Sequence, residues 1–160
     1  MEEKALTMAC SLSGKGLAMS SDSVAQFPPP EAILPHRPPF LFLDKVLTCT
    51  EEEITGEYTF RDNDFFAGHF PERPIVPGVI LLEGMAQALA YLALKQLGGG
   101  SVLLTGFESA KIRRPVIPGE TVLYTVKIET FRHRMVIAKG RITVNGQPTA
   151  EARLKGFVES

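Results

Sequence analysis

A long apolar segment near the middle of the chain constrains the fold more than any other feature of the sequence. It runs from Val79 to Leu94, follows directly on Pro77-Gly78, and is soon followed by three consecutive glycines, Gly98-Gly99-Gly100. Proline then glycine is typical of a helix start and the glycine run of a helix end, so the sequence predicts one helix here. The helix has no polar face. A helix that is apolar all round is buried on all sides, in a protein core or in a membrane.

Composition favours the protein core over the membrane. Glu83, Gln87 and Lys95 interrupt the segment, whereas a membrane-spanning helix needs roughly 20 apolar residues. The chain has 160 residues, of which 44% are hydrophobic and 22% charged, as in an ordinary globular domain. We therefore expect no membrane insertion. The formal net charge of −1 gives no basic field, so nucleic acid is not an expected partner.

The few cysteines and histidines show no metal-ligand spacing. Cys10 and Cys49 lie far apart, and the three histidines are scattered along the chain. A disulfide framework and a metal site are therefore not expected. The chain begins Met-Glu-Glu without a basic-then-apolar leader, so no secretory signal is read. These features predict a cytoplasmic protein.

Hydropathy patterning predicts one folded domain behind a flexible extension. Residues 1–32 are rich in Ser, Ala and Gly, end in a proline run and show no periodicity, whereas residues 33–160 carry regular patterns. Alternating apolar and polar residues predict a set of strands: Phe40–Leu47, Ile54–Arg61, Val102–Glu108 (with Ala110–Arg114 continuing it or pairing with it), Val122–Glu129, Val136–Val144 and Thr149–Val158.

These elements predict an α+β fold in which an antiparallel sheet wraps around one long apolar helix. Asn145-Gly146 is a strong hairpin signal between the last two strands. Packing on the sheet explains why the helix has so little polar surface. Because a sheet covers only part of a helix's circumference, the remaining apolar surface predicts a homodimer.

A candidate acid–base pair accompanies the helix. His69 lies in a Gly-His-Phe-Pro turn before it, and Glu83 lies about one turn inside it. A histidine titrates near neutrality and suits proton abstraction, while apolar surroundings favour the protonated form of a carboxyl group, which can then donate a proton. The free N–H groups at Gly78-Val79 can polarise a carbonyl oxygen. Together they predict loss or addition of water at a 3-hydroxyacyl compound.

Each residue also has a structural interpretation. His69 alone is more often a structural turn histidine than a catalytic one. Glu83 could be a buried acid bonded to an arginine. Gln87 is better explained as a buried hydrogen-bond partner than as a reactant, because an amide has no useful pKa. The coincidence of acid, base and open amides favours the catalytic interpretation.

Several separated motifs resemble those of the (3R)-hydroxyacyl-[acyl-carrier-protein] dehydratases of type II fatty-acid synthesis, a FabZ-like family. The motifs are LPHRPPFL at residues 34–41, GHFP at 68–71, PIVPGVILLEGMAQ at 74–87 and RRPVIPGE at 113–120. The resemblance covers residues 33–158 and implies a hot-dog fold and a dimer with a shared sheet, which in this family is often assembled into a trimer of dimers. It implies no metal or nucleotide cofactor.

The resemblance also implies roles for residues. His69 of one subunit would work as base with Glu83 of the other as acid, and the amide of Gly78 or Val79 would hold the thioester carbonyl. The acyl chain would lie in a tunnel between subunits and arrive on the phosphopantetheine of acyl carrier protein. Further candidate substrate contacts are Phe70, Pro71 and Gln87. Candidate docking charges for the acidic carrier protein are Lys111, Arg113, Arg114, Arg132 and Arg134, although a solvated sheet edge explains these equally well.

Two departures and three alternatives remain. The family often has tyrosine where this chain has Pro38, which puts a gating role there in doubt, and Glu83 in place of aspartate argues against an additional isomerase activity. A hot-dog hydratase of coenzyme A esters is one alternative, because Asp64 lies five residues before His69, but the Asn-Pro that accompanies this spacing is absent. An acyl thioesterase and a non-catalytic acyl-binding subunit are the others.

Overall fold

The computed structural model describes residues 27–61 and 68–159. These residues form one antiparallel sheet of six strands and two helices. The strands are β1 (Lys45–Cys49), β2 (Glu53–Thr59), β3 (Ser101–Ile112), β4 (Thr121–Arg132), β5 (Met135–Val144) and β6 (Gln147–Glu159), and the helices are α1 (Pro30–Ile33) and α2 (Gly78–Leu97). The order across the sheet is β1-β2-β4-β5-β6-β3. The predicted α+β architecture is confirmed.

Helix α2 begins and ends where the prolines and glycines predict. Pro77 precedes it in a non-helical conformation, with φ −55° and ψ 133°, and Gly98 ends it with a left-handed φ of 77°. The Gly98 N–H donates to the Leu94 carbonyl oxygen at 2.9 Å, which satisfies one of the terminal carbonyls. At about 1.5 Å per residue, the 20 residues of α2 span about 30 Å, the width of a small domain.

The inner face of the sheet buries most of α2. The helix contacts every strand from β2 to β6, and each side chain from Ala88 to Leu94 is buried. The strands supply alternate residues to this core, including Val122, Tyr124 and Val126 of β4. By length and hydropathy α2 could also cross a membrane, but 67% of its most apolar 18-residue window is buried inside the chain.

Close approach between α2 and the sheet depends on a glycine. A Cβ atom at Gly84 would lie 2.1 Å from the hydroxyl oxygen of Tyr124 and 2.4 Å from its ring carbon Cζ, so no larger residue fits without movement. The Tyr124 ring is fully buried and rigid. Its burial raises the pKa of the hydroxyl well above the ordinary value, and the hydroxyl has no hydrogen-bond partner among the described residues.

The observed strands agree with the predicted ones except in the first half of the first predicted strand, Phe40–Leu47. Asn145 and Gly146 form the β5–β6 turn with φ of 49° and 75°, the paired positive values of a type I′ hairpin, as predicted. Ala110–Arg114 continues the preceding strand rather than pairing with it. The resulting β3 carries register shifts between Leu104 and Gly106 and between Glu108 and Lys111.

The predicted strand at Phe40–Leu47 is wrong in its first half. The strand starts only at Lys45, and backbone groups before it, at Phe40 and Phe42, bond to Gln87 of α2. The Phe42 N–H donates to the Oε1 atom of Gln87 at 2.8 Å instead of to a neighbouring strand. The buried run Leu41 to Leu43 that suggested a strand is therefore extended core backbone, held by a helix side chain.

The predicted N-terminal extension is described only at its end, because residues 1–26 lie outside the described residues. The Tyr91 hydroxyl of α2 donates to the Pro28 carbonyl oxygen at 2.8 Å, and the Lys95 Nζ atom lies 5.1 Å from the centre of the Phe27 ring. Pro30 is buried. The boundary expected at residue 33 thus falls within a segment that contacts the helix.

We predict that Gly84→Ala lowers the free energy of unfolding by about 1–3 kcal/mol, because the added methyl group overpacks a rigid site. Adding Tyr124→Phe removes the nearest atom and an unpaired buried hydroxyl, so the double variant should recover part of the loss. Urea denaturation of the two single variants and the double variant measures this coupling. Strictly additive effects would contradict the proposed contact.

Candidate active site

His69 lies in a short, internally hydrogen-bonded segment before α2, which we call the histidine turn (Gly68 to Val76). The Phe70 N–H donates to the Arg73 carbonyl oxygen at 3.2 Å, and the Arg73 N–H donates back to Phe70 at 3.0 Å. The Ile75 N–H donates to the His69 carbonyl oxygen at 2.9 Å. These bonds between backbone groups fix the position of His69. From the sequence alone, only the neighbouring glycine and proline indicated that this residue lies in a defined turn.

The surroundings of the His69 ring determine its tautomer. Its Nδ1 atom lies 3.0 Å from the Ile75 carbonyl oxygen, which can only accept, so Nδ1 carries the hydrogen. The Nε2 atom then holds a lone pair and can take a proton. The ring also stacks on Phe70, with centroids 4.4 Å apart. A bond from the Val76 N–H to the Val116 carbonyl oxygen, 2.7 Å, ties the turn to the rest of the domain.

Glu83 is half-buried on α2, with 22% of its side chain exposed. Its Oε1 atom accepts a hydrogen bond from Gln87 Nε2 at 2.9 Å, one helical turn later. No hydrogen bond from a described residue reaches its other oxygen, Oε2, so this oxygen still has its hydrogen-bonding capacity. Within the described residues, His69 and Glu83 make no hydrogen bond or ion pair with each other.

Gln87 is a buried connection between α2 and the segment that precedes β1. Only 1% of the residue is exposed. Its Oε1 atom accepts the Phe42 N–H at 2.8 Å, and its Nε2 atom donates to Glu83 and, at 3.4 Å, to the Phe40 carbonyl oxygen. All of its strong hydrogen-bonding groups are engaged within the chain. Gln87 therefore orients Glu83, while direct contact with a substrate stays a prediction.

The start of α2 presents open amide groups. Pro77 provides no side-chain cap, and the N–H groups of Gly78 and Val79 have no acceptor among the described residues. Val79 is 71% exposed although it is apolar. The end of β3 approaches closely, since a Cβ atom at Gly78 would lie 2.2 Å from Ile112 Cδ1. The helix dipole adds a partial positive charge here, so the site can bind a carbonyl oxygen that gains negative charge.

Sequence reasoning missed one residue near the acid, His36. Its Nε2 atom lies 3.8 Å from Glu83 Oε1, and its Nδ1 atom is buried without a hydrogen-bond partner in the described part of the chain. The LPHRPPFL motif drew attention to the segment but assigned no role to this side chain. No local pattern could have done so, because the two residues are far apart in the sequence.

A comparison with family models matches residues 34–153 to the FabA-like domain. The chain belongs to the FabA-like family. Curated proteins of similar sequence support the same family. The 3-hydroxyacyl-[acyl-carrier-protein] dehydratase FabZ of Fusobacterium nucleatum is 39% identical over 122 residues, which cover 74% of this chain and 86% of the relative. The FabZ dehydratase of Latilactobacillus sakei is 40% identical over 133 residues, covering 81% and 95%. The resemblance noted in the sequence is confirmed.

Solved structures confirm the hot-dog fold. The dehydratase heterocomplex ApeI:P from Xenorhabdus doucetiae matches with a TM-score of 0.72 at 17% identity, covering 84% of this chain and 93% of that one. The Escherichia coli PaaI protein of the phenylacetic acid degradation operon matches with a TM-score of 0.58 at 18% identity, covering 70% and 80%. At 17% and 18% identity, these two matches support the fold alone.

The other predicted site residues of this FabA-like chain lie in three regions. Phe70 and Pro71 are exposed in the histidine turn, beside His69. The five basic residues predicted to dock a carrier protein are all on strand ends or turns: Lys111, Arg113 and Arg114 at the end of β3 and just beyond it, and Arg132 and Arg134 at the β4–β5 turn. Arg113 pairs with Glu151, and Arg114 pairs with Glu120 at 3.0 Å, so these two have intramolecular partners.

We predict that Gln87→Leu lowers the free energy of unfolding by about 1–3 kcal/mol, because the buried Phe42 N–H loses its acceptor. Gln96→Leu on the same helix is the matched control. The Gln96 side chain donates to the Glu51 carbonyl oxygen at 2.7 Å, but this bond is exposed, so its loss should change stability by less than about 0.5 kcal/mol. Urea denaturation at equal protein concentration compares them, and equal effects would contradict a special role for Gln87.

Proposed function

We propose that this chain is a 3-hydroxyacyl-[acyl-carrier-protein] dehydratase, the activity named for its FabZ relatives. The observation that best supports the proposal is the tautomer of His69. Its Nδ1–H is committed to the Ile75 carbonyl oxygen, so its Nε2 atom is free to act as a base. The same domain holds an acid with an open oxygen, Glu83, and open amide groups at Gly78 and Val79.

In the proposed reaction the substrate's thioester carbonyl oxygen accepts hydrogen bonds from the amides of Gly78 and Val79. His69 Nε2 takes the proton from C2 of the acyl chain, and the amides stabilise the negative charge that develops on the carbonyl oxygen. The electron pair from the broken C–H bond forms the C2–C3 double bond. The C3–O bond breaks, and the hydroxyl leaves as water with the proton donated by Glu83. Acid, base and amides suffice for these steps, so no cofactor is proposed.

We further propose that the site forms across a homodimer. β3 lies at one edge of the sheet and exposes the apolar side chains of Leu103, Leu104 and Ile112. A long apolar edge strand is a liability unless another strand pairs with it, and a second copy of β3 can do so. The exposed Phe70 and Val79 are further apolar surface for the same partner. Three such dimers in a hexamer remain a prediction.

The proposed substrate carrier is acyl carrier protein, with the acyl chain attached through phosphopantetheine. Its acidic surface would meet exposed basic groups, for which Lys111 and Arg132 are the simplest candidates because Arg113 and Arg114 are already paired with carboxylates. Such an enzyme would act in the cytoplasm. The free thiol of Cys49 fits a reducing compartment.

We expect His69→Ala and Glu83→Gln each to lower kcat about 10²- to 10⁴-fold, the contribution typical of a general base or acid. The assay follows the interconversion of 3-hydroxyacyl and trans-2-enoyl thioesters on acyl carrier protein, with circular dichroism and gel filtration as controls for folding and assembly. Near-normal turnover in either variant would rule out this mechanism.

Mixing the two inactive variants tests the shared site directly. If His69 and Glu83 act from different subunits, a mixed dimer contains one intact site. Randomly exchanged chains should therefore regain about a quarter of the wild-type activity, because half of the dimers are mixed and each has one working site of two. The chains are exchanged by denaturing and refolding the mixture. If both residues act within one chain, this treatment restores no activity.

Two of the remaining alternatives, a coenzyme A hydratase and a thioesterase, are tested by changing the substrate and the product that the assay follows. The spacing of Asp64 to His69 that suggested a coenzyme A hydratase involves a residue outside the described part of the chain. Comparing kcat/KM on carrier-protein and coenzyme A thioesters distinguishes these two activities, and release of free thiol identifies a thioesterase. We expect the carrier-protein ester to be preferred and no free thiol to appear.

A further inference from the structure

His36 lies beside the proposed acid, Glu83. Its Nε2 atom is 3.8 Å from Glu83 Oε1, and its Nδ1 atom is buried with no hydrogen-bond partner among the described residues. Buried polar atoms in native proteins are normally paired. The imidazole is therefore not held by bonds of its own, and packing alone would be served better by an apolar side chain.

The surrounding backbone holds His36 in place instead. Pro35 on one side and Pro38 on the other fix the local φ angles. The Arg37 guanidinium donates to the carbonyl oxygens of Leu34, at 2.9 Å, and of His36, at 2.7 Å. A segment braced in this way places the imidazole reproducibly against the helix that carries Glu83.

The electrostatics at Glu83 define what His36 can contribute. The Nδ1 atom has no acceptor nearby, so the ring hydrogen is best placed on Nε2, which faces the carboxylate oxygen Oε1. Gln87 Nε2 already donates to that same oxygen at 2.9 Å. The fully buried Tyr124 hydroxyl lies against the adjacent Gly84. The Gln87 bond at Oε1 favours the acid's proton on Oε2, and His36 Nε2, 3.8 Å from Oε1, is placed to become a second donor there.

We propose that His36 is a positioning residue for Glu83, donating from Nε2 to Oε1 as the acid gives up its proton. The proposal rests on the dehydratase function proposed above. At 3.8 Å the contact is too long for a hydrogen bond in the resting site, and such contacts tighten when charge develops on the acceptor. An interaction that is stronger in the transition state than in the ground state raises kcat and leaves KM unchanged.

Three variants of His36 separate donation from packing. Glutamine carries an N–H donor near the position of Nε2, asparagine carries one only near the position of Nδ1, and leucine carries none. We expect His36→Asn and His36→Leu to lower kcat about 10- to 100-fold with KM nearly unchanged, the size expected for a lost hydrogen bond to a charged group. His36→Gln should retain most of the activity. His36→Leu should unfold at the wild-type temperature or above it, because it removes an unpaired buried nitrogen.

The controls make the outcomes decisive. Wild type is assayed in parallel. If wild type does not dehydrate the carrier-protein substrate, the proposed dehydratase function is wrong, and the role of His36 falls with it. If wild type is active, kcat of His36→Leu within about two-fold of wild type overturns the role of His36, since far larger losses accompany a lost charged hydrogen bond. Equal losses in the glutamine, asparagine and leucine variants, or losses confined to variants with lowered unfolding temperatures, also overturn it. The order Gln above Asn and Leu in kcat, at constant KM, supports it.

Discussion

Burial of α2 on the inner face of the sheet is the constraint on which the rest of the structure depends. The helix has almost no polar surface, so five strands curve around it and approach closely enough that Gly84 cannot carry a side chain against Tyr124. Each buried methylene contributes about 0.8 kcal/mol, and the run from Ala88 to Leu94 lies wholly inside. The first turn of α2 is left at the rim of this core. There its amides are open and Val79 is exposed.

The polar groups of the site depend on the same packing. An acid on such a helix needs hydrogen-bond donors, and Gln87 supplies one while using its remaining groups to hold Phe40 and Phe42. The extended segment before β1 thereby becomes part of the support for Glu83, and His36 arrives beside it. The histidine turn holds His69 through its backbone bonds, the bond from the ring to the Ile75 carbonyl oxygen and the stacking on Phe70. The hydrogen bonds of Gln87 therefore support both the core and the candidate acid.

The structural features that could be predicted from the sequence are those that depend on neighbouring residues. Gly98 with its left-handed φ, the Asn145-Gly146 turn and the alternation along β4 and β5 each depend on neighbouring residues, so the sequence shows them directly. The strand predicted from Phe40 failed because a buried apolar run looks the same whether its backbone bonds to a strand or to Gln87. His36 escaped notice for a related reason: its significance is a distance to Glu83, and periodicity contains no information about distances between remote segments.

The sequence by itself determined the buried helix, the antiparallel sheet and the identities of the candidate base and acid. Each of these follows from side-chain chemistry and from periods of two or 3.6 residues, which are properties of a single stretch of chain. Only the tertiary structure decided the tautomer of His69, the open oxygen of Glu83 and the positions of Gln87 and His36 around it. These depend on hydrogen bonds between segments that meet only when the apolar helix is buried.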